Sequence, residues 1–223
     1  MDAHVTAMVP IKKHSERLPG KNFRDFNGRP LYHWILDELE AVDAIDRIVV
    51  NTDADEVIEN APEEFDVEIS ERPEYLRDDE VTTNIVKYEI EHGNSDIYMH
   101  TYCTNPLLTA ETISEALHEF ADSPDHDSLL PVTPHYMWFY DADFKPINHD
   151  PHELERTQDM TPVYEDNSVL YIYTEETIEK TGHRLGTNPL PFEIDDVEAS
   201  DIDVLSDFKV AESLHQLRTD GEL

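Results

Sequence analysis

Short apolar runs alternate with amphipathic runs along most of the chain, and this alternation restricts the fold more than any other feature of the sequence. Runs rich in β-branched residues, such as DRIVVNT at 46–52, predict buried strands. Runs with apolar residues at helical spacing follow them, for example TAETISEALHEFA at 109–121. This rhythm predicts an α/β fold of three layers, with a mainly parallel sheet and helices on both of its faces.

The same patterns place the individual elements of one domain that spans residues 1–223. Strands are predicted at 4–9, 46–52, 66–70, 96–102, 127–133 and 168–174. Helices are predicted at 30–42, 53–61, 82–92, 109–121 and 203–217. We expect Asp53 to cap the second helix and Thr109 to cap the fourth, because short oxygen-bearing side chains satisfy the free N–H groups of a first turn.

The alternation breaks between about Pro134 and Asn167. This stretch is rich in aromatic residues, proline and polar residues, and no long helical pattern runs through it. Excursions of this length in a compact domain usually carry a site or a partner surface. We therefore expect an inserted arm or extended hairpin at 134–167, called the arm below.

The charge of the chain is strongly one-sided, with 51 acidic residues against 16 lysines and arginines and a formal net charge of -35. The acids are spread along the sequence, so they predict a uniformly acidic surface that stays soluble through charge. Salt screens the self-repulsion of such a surface, which predicts adaptation to a salt-rich cytoplasm, such as that of a halophilic archaeon. The sequence offers no broad basic face, so we expect no nucleic-acid partner.

Two further features exclude other classes of protein. No apolar run approaches the length of a membrane span, and the start MDAHVTAMVP lacks the basic region and long apolar region of a signal peptide. Cys103 is the one cysteine, which excludes an intrachain disulfide and a cysteine-based zinc site. We expect a cytoplasmic protein with no membrane partner, in which Cys103 is a small buried residue and not a nucleophile.

Cations are concentrated between the first predicted strand and the first predicted helix. Positions 12–29, called the basic loop below, hold six of the 16 lysines and arginines. In open α/β sheets, ligands bind beyond the carboxyl ends of the strands. A cationic loop there, with Pro19-Gly20 inside it, can wrap a polyphosphate with ammonium and backbone N–H groups. The loop has neither the GxGxxG nor the GxxxxGK[ST] pattern, so it predicts a different kind of phosphate site, with an ordinary surface loop as the alternative.

Six motifs follow one another between residues 5 and 217. The first three are VPIKKHSERLPGKN, NTDADEVIENA and ERPEYLRDDEVTT; the others are TNPLLTAETISEAL, RTQDMTPVYEDNSVLYIY and EASDIDVLSDFKVAESL. Together they resemble the signature motifs of the acylneuraminate cytidylyltransferases, the CMP-sialic acid synthetase family, such as IPARxxSKRxPGKN and SxDIDTxxDFxxAExL. The resemblance implies a nucleotide-diphospho-sugar transferase-like fold with a dimerisation arm.

The resemblance also implies a reaction. CTP and a 2-keto-3-deoxy sugar acid, a sialic acid-like nonulosonate, would give a CMP-sugar and pyrophosphate for surface glycan or glycoprotein synthesis. The residues with catalytic roles would be Lys21, Asp201 and Asp203. The residues that bind the nucleotide would be Lys12, Ser15, Arg17, Lys21, Asn22, Arg72, Asp79 and Thr82.

The family pattern places a divalent cation, Mg²⁺ or Mn²⁺, at Asp201 and Asp203. We expect both carboxylates to reach one ion only if the backbone turns at this point. Magnesium keeps several waters and needs only one or two carboxylates, so one aspartate ligating directly and the other through water is the alternative.

The sugar acid would be recognised by residues from two regions. By resemblance these are Tyr102, Asn105, Arg156 and Gln158. Arginine is a bidentate partner for a carboxylate, and Arg156 and Gln158 lie in the arm, which implies that they act across the interface of a homodimer. The aromatic residues of the arm would then be dimer contacts: Tyr136, Trp138, Phe139 and Tyr140.

Because some residues depart from the family pattern, the identity of the sugar acid and the activity itself have alternatives. Lys12 stands where the commoner members have arginine, and Tyr102 where many have glutamine. One alternative is a CMP-Kdo-type synthetase or another sugar nucleotidyltransferase. A glycosyltransferase also uses a DxD motif, but usually after a central strand. The third alternative is a non-catalytic protein that binds sugar nucleotides. The retained Lys21, Asp201 and Asp203 argue against this alternative.

Overall fold

A computed structural model describes residues 3–77, 82–153 and 156–223. The strands are β1 (Val5–Ile11), β2 (Asp25–Phe26), β3 (Arg29–Pro30), β4 (Arg47–Thr52), β5 (Glu68–Glu71), β6 (Ile97–Thr101), β7 (Ser128–His135), β8 (Val163–Asp166), β9 (Leu170–Tyr173) and β10 (Pro189–Glu193). The α-helices are α1 (Leu31–Glu40), α2 (Asp55–Glu64), α3 (Thr82–His92), α4 (Ala110–Ala121), α5 (Glu175–Thr181) and α6 (Leu205–Thr219). Every strand and helix predicted from the sequence is present, with ends shifted by a few residues.

The main sheet has eight strands and the order β10-β7-β9-β6-β1-β4-β5, with β8 paired to β7. Strands β6, β1, β4 and β5 run parallel to one another, and β10 runs parallel to β7. Their carboxyl ends therefore meet at one edge of the sheet, where an α/β protein binds its ligands. The mainly parallel sheet agrees with the prediction from the sequence.

Strand β9 is the exception, because it runs antiparallel to both β6 and β7. It continues β8 along the same side of β7 after a break at 167–169, in which Ser168 has a φ of 60°. Pairing shifts by three residues across this break, from Asp166 opposite Val132 to Ile172 opposite Leu129. The break lets the chain leave the sheet along β7, form the arm, and return along β8 into the centre of the sheet.

Apolar side chains cover both faces of the sheet. One face packs against α1, α2 and α4 through a cluster that includes Ile35, Val57 and Leu117. The opposite face packs against α3 and α5, with Val86 and Ile178 against tyrosines of β6 and β9. Helices on both faces are what the strand–helix rhythm predicts.

Of the two helix N-caps predicted from the sequence, one is confirmed. Thr109 Oγ1 accepts a hydrogen bond from the Thr112 N–H, so it caps α4 as expected. The prediction for α2 is wrong, because its N-cap is Ala54. Asp53 Oδ1 instead accepts from the backbone N–H of Lys13, across the gap between β4 and the basic loop.

The arm leaves the sheet on the paired strands β7 and β8. Beyond them, Tyr140 forms a bridge with Pro146, and the remaining backbone has little regular structure. Large apolar side chains of the arm stay exposed: Tyr136, Met137, Trp138, Tyr140, Phe144, Ile147 and Tyr164. In the part of the chain that the structure describes, no helix is long and apolar enough to pass through a bilayer.

Candidate active site

A cavity of about 590 Å³ opens at the carboxyl ends of β1, β5 and β6. Its lining comes from the basic loop, from the ends of these strands, and from the segment before α6. The lining residues are Pro10, Lys12, His14, Ser15, Glu16, Arg17, Lys21, Asn22, Arg72, Ile85, Tyr102, Cys103, Thr104 and Asp203. The cavity thus lies where the sheet topology predicts a ligand.

The backbone of the basic loop turns back on itself between β1 and α1. Gly20 adopts a φ of 67°, in the left-handed region that glycine enters without strain, and Lys21–Phe23 then forms a short 3₁₀ turn. This turn carries Lys21 and Asn22 inward, where both become buried. The local sequence Pro-Gly-Lys-Asn therefore directs one cation and one amide into the cavity wall.

Lys21 is held in place by the segment before α6. Its Nζ donates to the backbone oxygen of Ile202 and lies 3.9 Å from Asp203 Oδ1. Arg17 Nη1 forms an ion pair with Asp203 Oδ2. Asp203 therefore pairs with two cations, Arg17 and Lys21, that are near one another in the sequence. Asp203 itself lies 186 positions after Arg17.

The other cations of the basic loop point away from the cavity. Lys13 Nζ pairs with Asp55 Oδ2 at 2.6 Å, and Arg29 pairs with Asp37 on α1. Arg24 Nε donates to the Pro19 oxygen. The three cations of the loop that line the cavity are Lys12, Arg17 and Lys21. The loop is thus part binding surface and part ordinary surface loop.

Asn22 presents an unused acceptor to the cavity. Its Nδ2 donates to the Lys12 oxygen at 3.0 Å, which fixes the direction of the amide. Its Oδ1 is buried and has no hydrogen-bond partner among the described residues. A buried acceptor without a partner is costly, by about 1–3 kcal/mol, and a ligand donor at this position would satisfy it. Ser15 lines the same wall.

Asp201 and Asp203 differ in position relative to the cavity, although only Ile202 separates them in the sequence. Asp203 lines the cavity, while Asp201 lies outside its wall and beside Thr104. The pKa of Asp201 is raised, mainly by desolvation and then by the charge of Asp203, against the effect of a hydrogen bond with Thr104. By surface area Asp201 is exposed, so this desolvation reflects crowding by neighbouring atoms and not full burial.

The described residues contain no cluster of three or more metal-binding side chains. A site with one or two carboxylates still fits Mg²⁺, which completes its shell with water and phosphate oxygens. The charge of Asp203 contributes to the raised pKa of Asp201, as expected of neighbouring carboxylates. The donor set is therefore compatible with a sparse divalent-cation site that a phosphate ligand completes.

Arg72 is fixed by hydrogen bonds rather than by an ion pair. It is almost fully buried, and its Nε donates to Asn51 Oδ1 at 2.7 Å while Nη2 donates to the Asn51 backbone oxygen at 3.1 Å. Asn51 Nδ2 in turn donates to Glu89 Oε1 at 2.6 Å, and so does the Ser70 hydroxyl. Burial lowers the pKa of Arg72, but the guanidinium stays charged at neutral pH.

Two residues near the end of β6 have different positions. Tyr102 lines the cavity, as expected of a residue that contacts substrate. Asn105 is buried away from it, and its Nδ2 donates to the Ser200 oxygen at 3.3 Å. Asn105 thus supports the segment that carries Asp201 and Asp203. Cys103 is buried, as predicted, and burial raises the pKa of its thiol to about 12, so it stays protonated.

Two predicted residues of the arm are not brought to the cavity, and the side chains of two others lie outside the described part of the chain. Arg156 and Gln158 lie exposed in the arm, and Arg156 pairs with Asp159 at 2.6 Å. Asp79 lies outside the described residues, as does the side chain of Thr82. The structure therefore assembles the cavity from the basic loop, Arg72, Tyr102 and Asp203, and leaves the arm residues separate.

Sequence reasoning missed three polar residues around the site. Asn51 and Glu89 form the network behind Arg72, and Arg184 donates to the Tyr102 hydroxyl at 2.6 Å. Asn51 opens the motif NTDADEVIENA but was given no role, and Glu89 and Arg184 stand in no motif. The one available signal was the scarcity of cations, because an isolated arginine in so acidic a chain invites a search for its role.

Comparisons with known proteins agree with the site. The sequence model of the family described as Cytidylyltransferase matches residues 6–219. The pseudaminic acid cytidylyltransferase of Campylobacter jejuni is 25% identical over 94% of this chain and 95% of its own length. The N-acylneuraminate cytidylyltransferase of Oncorhynchus mykiss is 28% identical over 94% of this chain, which spans 50% of that longer protein.

A solved structure supports the fold. The CMP:2-keto-3-deoxy-manno-octonic acid synthetase, determined in complex with CTP, superposes with a TM-score of 0.72. The match covers 96% of this chain and 99% of that chain at 14% identity. The expected nucleotide-diphospho-sugar transferase-like fold is therefore confirmed, and the match of the family model confirms the expected class of protein.

Proposed function

Because the chain belongs to the cytidylyltransferase family over residues 6–219, we propose that it activates a sugar acid with CTP. The product would be a CMP-sugar, and the acid a sialic acid-like nonulosonate used for surface glycans or glycoproteins. The observation that carries the proposal is the convergence of Lys12, Arg17 and Lys21 on one cavity in a chain of net charge -35. An acidic protein needs such a cluster wherever it binds a polyanion.

The chemistry is a nucleotidyl transfer. The anomeric hydroxyl of the sugar acid attacks the α-phosphorus, an O–P bond forms, the bond to the β-phosphate oxygen breaks, and the hydroxyl proton passes to solvent. Such a transfer needs positioning and charge neutralisation more than covalent help. Lys12, Arg17 and Lys21 would neutralise the triphosphate, Ser15 would donate to it, and Asn22 Oδ1 would accept from the nucleoside.

Arg72 and its neighbours would complete the nucleotide side. The network from Glu89 through Asn51 fixes the Arg72 guanidinium before any ligand arrives. Preorganised donors lose little freedom on binding, so they favour a bound transition state. Arg72 would contact the base or ribose, with Asp79 and Thr82 on the same side.

A divalent cation, Mg²⁺ or Mn²⁺, would bind at Asp203 and Asp201 together with phosphate oxygens. It would add positive charge at the reacting phosphate. Arg17 and Lys21 already contact Asp203, so they would hold this carboxylate in position beside the triphosphate. Asn105 would support the same segment from behind.

The second substrate would bind beside Tyr102, with Arg156 and Gln158 supplied by the arm of a second copy. The exposed aromatic side chains of the arm, including Trp138 and Tyr140, suit a buried interface core. A homodimer formed there would cover them and bring each arm toward the other cavity. Both substrates and the acidic surface suit a cytoplasmic enzyme in high salt.

Pyrophosphate release in molar KCl with magnesium and CTP tests the proposal. The acceptor panel contains sialic, legionaminic, pseudaminic and Kdo-type acids, and Asp203→Ala is the control variant. We expect release that needs both CTP and one class of acid and is abolished by the substitution. Release with the Kdo-type acid alone would favour a CMP-Kdo-type synthetase over an enzyme that uses a nonulosonate. No release with any acid would contradict the proposal.

A further inference from the structure

A polar cluster lies behind Tyr102, on the face of the sheet that α3 and α5 cover. Arg184 enters it from the segment between α5 and β10. Its Nη1 donates to the Tyr102 hydroxyl oxygen at 2.6 Å, and its Cζ lies 3.6 Å from the centroid of the Tyr171 ring. His100 and Tyr173 are buried in the same cluster.

Arg184 has no carboxylate partner within the described parts of the chain. Among the described residues, no aspartate or glutamate oxygen pairs with its guanidinium within 4.0 Å. Asp166, an acid of the same network, accepts a hydrogen bond from the Tyr171 hydroxyl at 2.6 Å. In a chain with 51 acids, a half-buried arginine without one is unexpected, because charges removed from water are normally paired.

Other polar atoms of the cluster are also unused. Arg184 Nε, the Tyr173 hydroxyl and both ring nitrogens of His100 are buried without a hydrogen-bond partner among the described residues. Burial, and then the charge of Arg184, lowers the pKa of His100 well below its ordinary value, so the ring is neutral and supplies no second charge. Such groups need an explanation, and a site completed by a ligand is one.

The bond from Arg184 determines what Tyr102 can do. Since the tyrosine oxygen accepts from a guanidinium, its own proton is free to be donated elsewhere. Tyr102 lines the cavity that also contains Lys12, Arg17 and Lys21. Its hydroxyl is therefore a donor beside the proposed triphosphate site, polarised from behind by an uncompensated positive charge, and it suits an anionic oxygen.

We propose that Arg184 is a positioning and specificity residue that acts through Tyr102 to recognise the carboxylate of the sugar acid. This inference rests on the proposed function. The Tyr102 hydroxyl donates to a carboxylate oxygen, and Arg184 supplies the opposing charge and holds the tyrosine in place. Recognition of the carboxylate then begins within one protomer, before Arg156, which pairs with Asp159 in the exposed arm, is added by a second copy.

The test compares Michaelis constants for both substrates in Arg184→Gln, Arg184→Lys and Tyr102→Phe. Arg184→Gln should raise the KM for the sugar acid about tenfold and leave the KM for CTP nearly unchanged. Arg184→Lys keeps the charge and should restore part of the loss. Tyr102→Phe should have a similar effect, and the double variant Arg184→Gln with Tyr102→Phe should be little worse than either single one.

A modified acceptor separates a binding role from a structural one. The wild type should use the sugar with its carboxylate converted to an amide much less well than the acid, and Arg184→Gln should lose most of that discrimination. The matched control is Arg24→Gln, because Arg24 donates to the Pro19 oxygen and points away from the cavity, and this variant should retain the discrimination. Thermal unfolding and CTP binding establish that each variant is folded. If Arg184→Gln does not fold, the effect of Tyr102→Phe on the KM for the sugar acid tests the proposal in its place.

The outcomes separate this inference from the proposed function. A wild type that releases pyrophosphate, together with variants that keep both the KM for the acid and the preference over the amide, would overturn the role of Arg184 alone. Discrimination lost in Arg24→Gln as well as in Arg184→Gln would do the same. A wild type without acid-dependent release would overturn the proposed function, and this inference with it.

Discussion

The two sides of the cavity are built in different ways. The basic loop is local, because Lys12, Arg17 and Lys21 lie within ten positions and one turn brings them together. The opposite side pairs Tyr102 with Arg184, which are 82 positions apart and come from separate elements. A polyphosphate needs several charges that one short segment can supply, whereas a specific orientation of one hydroxyl needs support from across the fold.

The largest effect should come from the basic loop. Lys21→Met removes a buried cation whose ammonium group donates to Ile202, and it should lower kcat/KM about a hundredfold or more. Steady-state pyrophosphate release measures this loss. Lys209→Met is the matched control, since that lysine is exposed on α6, and it should change the rate little. A modest loss in Lys21→Met would remove the main difference between the two sides.

Asp203→Asn should be the next largest effect. It keeps the shape of the side chain but removes the charge that contacts Arg17 and Lys21, and with it the proposed cation ligand. We expect the rate to fall about tenfold to a hundredfold and the magnesium concentration for half-maximal rate to rise. Asp196→Asn, in the exposed stretch before it, is the control. An unchanged magnesium dependence would place the cation elsewhere.

Asn51→Ala tests whether Arg72 depends on its support. The substitution leaves Arg72 Nε without its acceptor and removes one of the two donors to Glu89 Oε1, at a cost of about 1–3 kcal/mol. We expect the KM for CTP to rise about tenfold while the KM for the sugar acid changes little. Asn188→Ala serves as a control, because its side chain is exposed and donates to the Asp125 oxygen. Equal changes in both constants would indicate a general loss of structure.

The smallest effect concerns the segment that carries Arg184. Asp127 accepts hydrogen bonds from the N–H groups of Asn188 and Thr187 at 2.9 and 2.7 Å, and so anchors that segment. Partial burial alone would raise the pKa of Asp127, but these bonds outweigh it and the pKa lies below its ordinary value. Asp127→Asn should therefore lower the free energy of unfolding at neutral pH by about 1–2 kcal/mol.

The lowered pKa of Asp127 determines how its contribution to the free energy of unfolding depends on pH. A carboxyl group with a lowered folded-state pKa stabilises the fold above its unfolded-state pKa, and the stabilisation disappears as the pH falls through the folded-state value. The difference between wild type and Asp127→Asn should thus shrink below about pH 4, near the ordinary aspartate value of 3.8. Denaturant unfolding across pH, with Asp125→Asn as control, measures it, and a constant difference would contradict the assigned cause.

Much of the architecture follows from the sequence, because burial imposes patterns on it. The strand–helix rhythm gives the layers, and the clustered cations of the basic loop give the position of the cavity. The direction of β9 does not follow, since an apolar run such as LYIY reads the same in either direction. Strand β10 was missed because its prolines, Pro189 and Pro191, are unfavourable inside a sheet and acceptable on the edge strand that it forms.

The site residues likewise divide into those that the sequence predicts and those that only the structure reveals. Lys21, Asn22 and Arg72 stand in motifs and were predicted, and the structure places them in the cavity wall. Asn105 was assigned to the sugar, and the structure adds a contact from its side chain to the Ser200 oxygen, which depends on tertiary packing. Arg184 lies in a stretch, GHRLG, with no pattern of its own, so only its position opposite Tyr102 reveals a role.

The most direct test of the central claim is calorimetric titration of CTP into the wild type and Lys21→Met, in molar KCl with magnesium. We predict a single site for CTP in the wild type, with affinity at least about tenfold weaker in the variant, since a buried charged donor has been removed. The absence of CTP binding at every salt concentration, or equal affinity in the two proteins, would contradict the assignment of the basic loop as the triphosphate site.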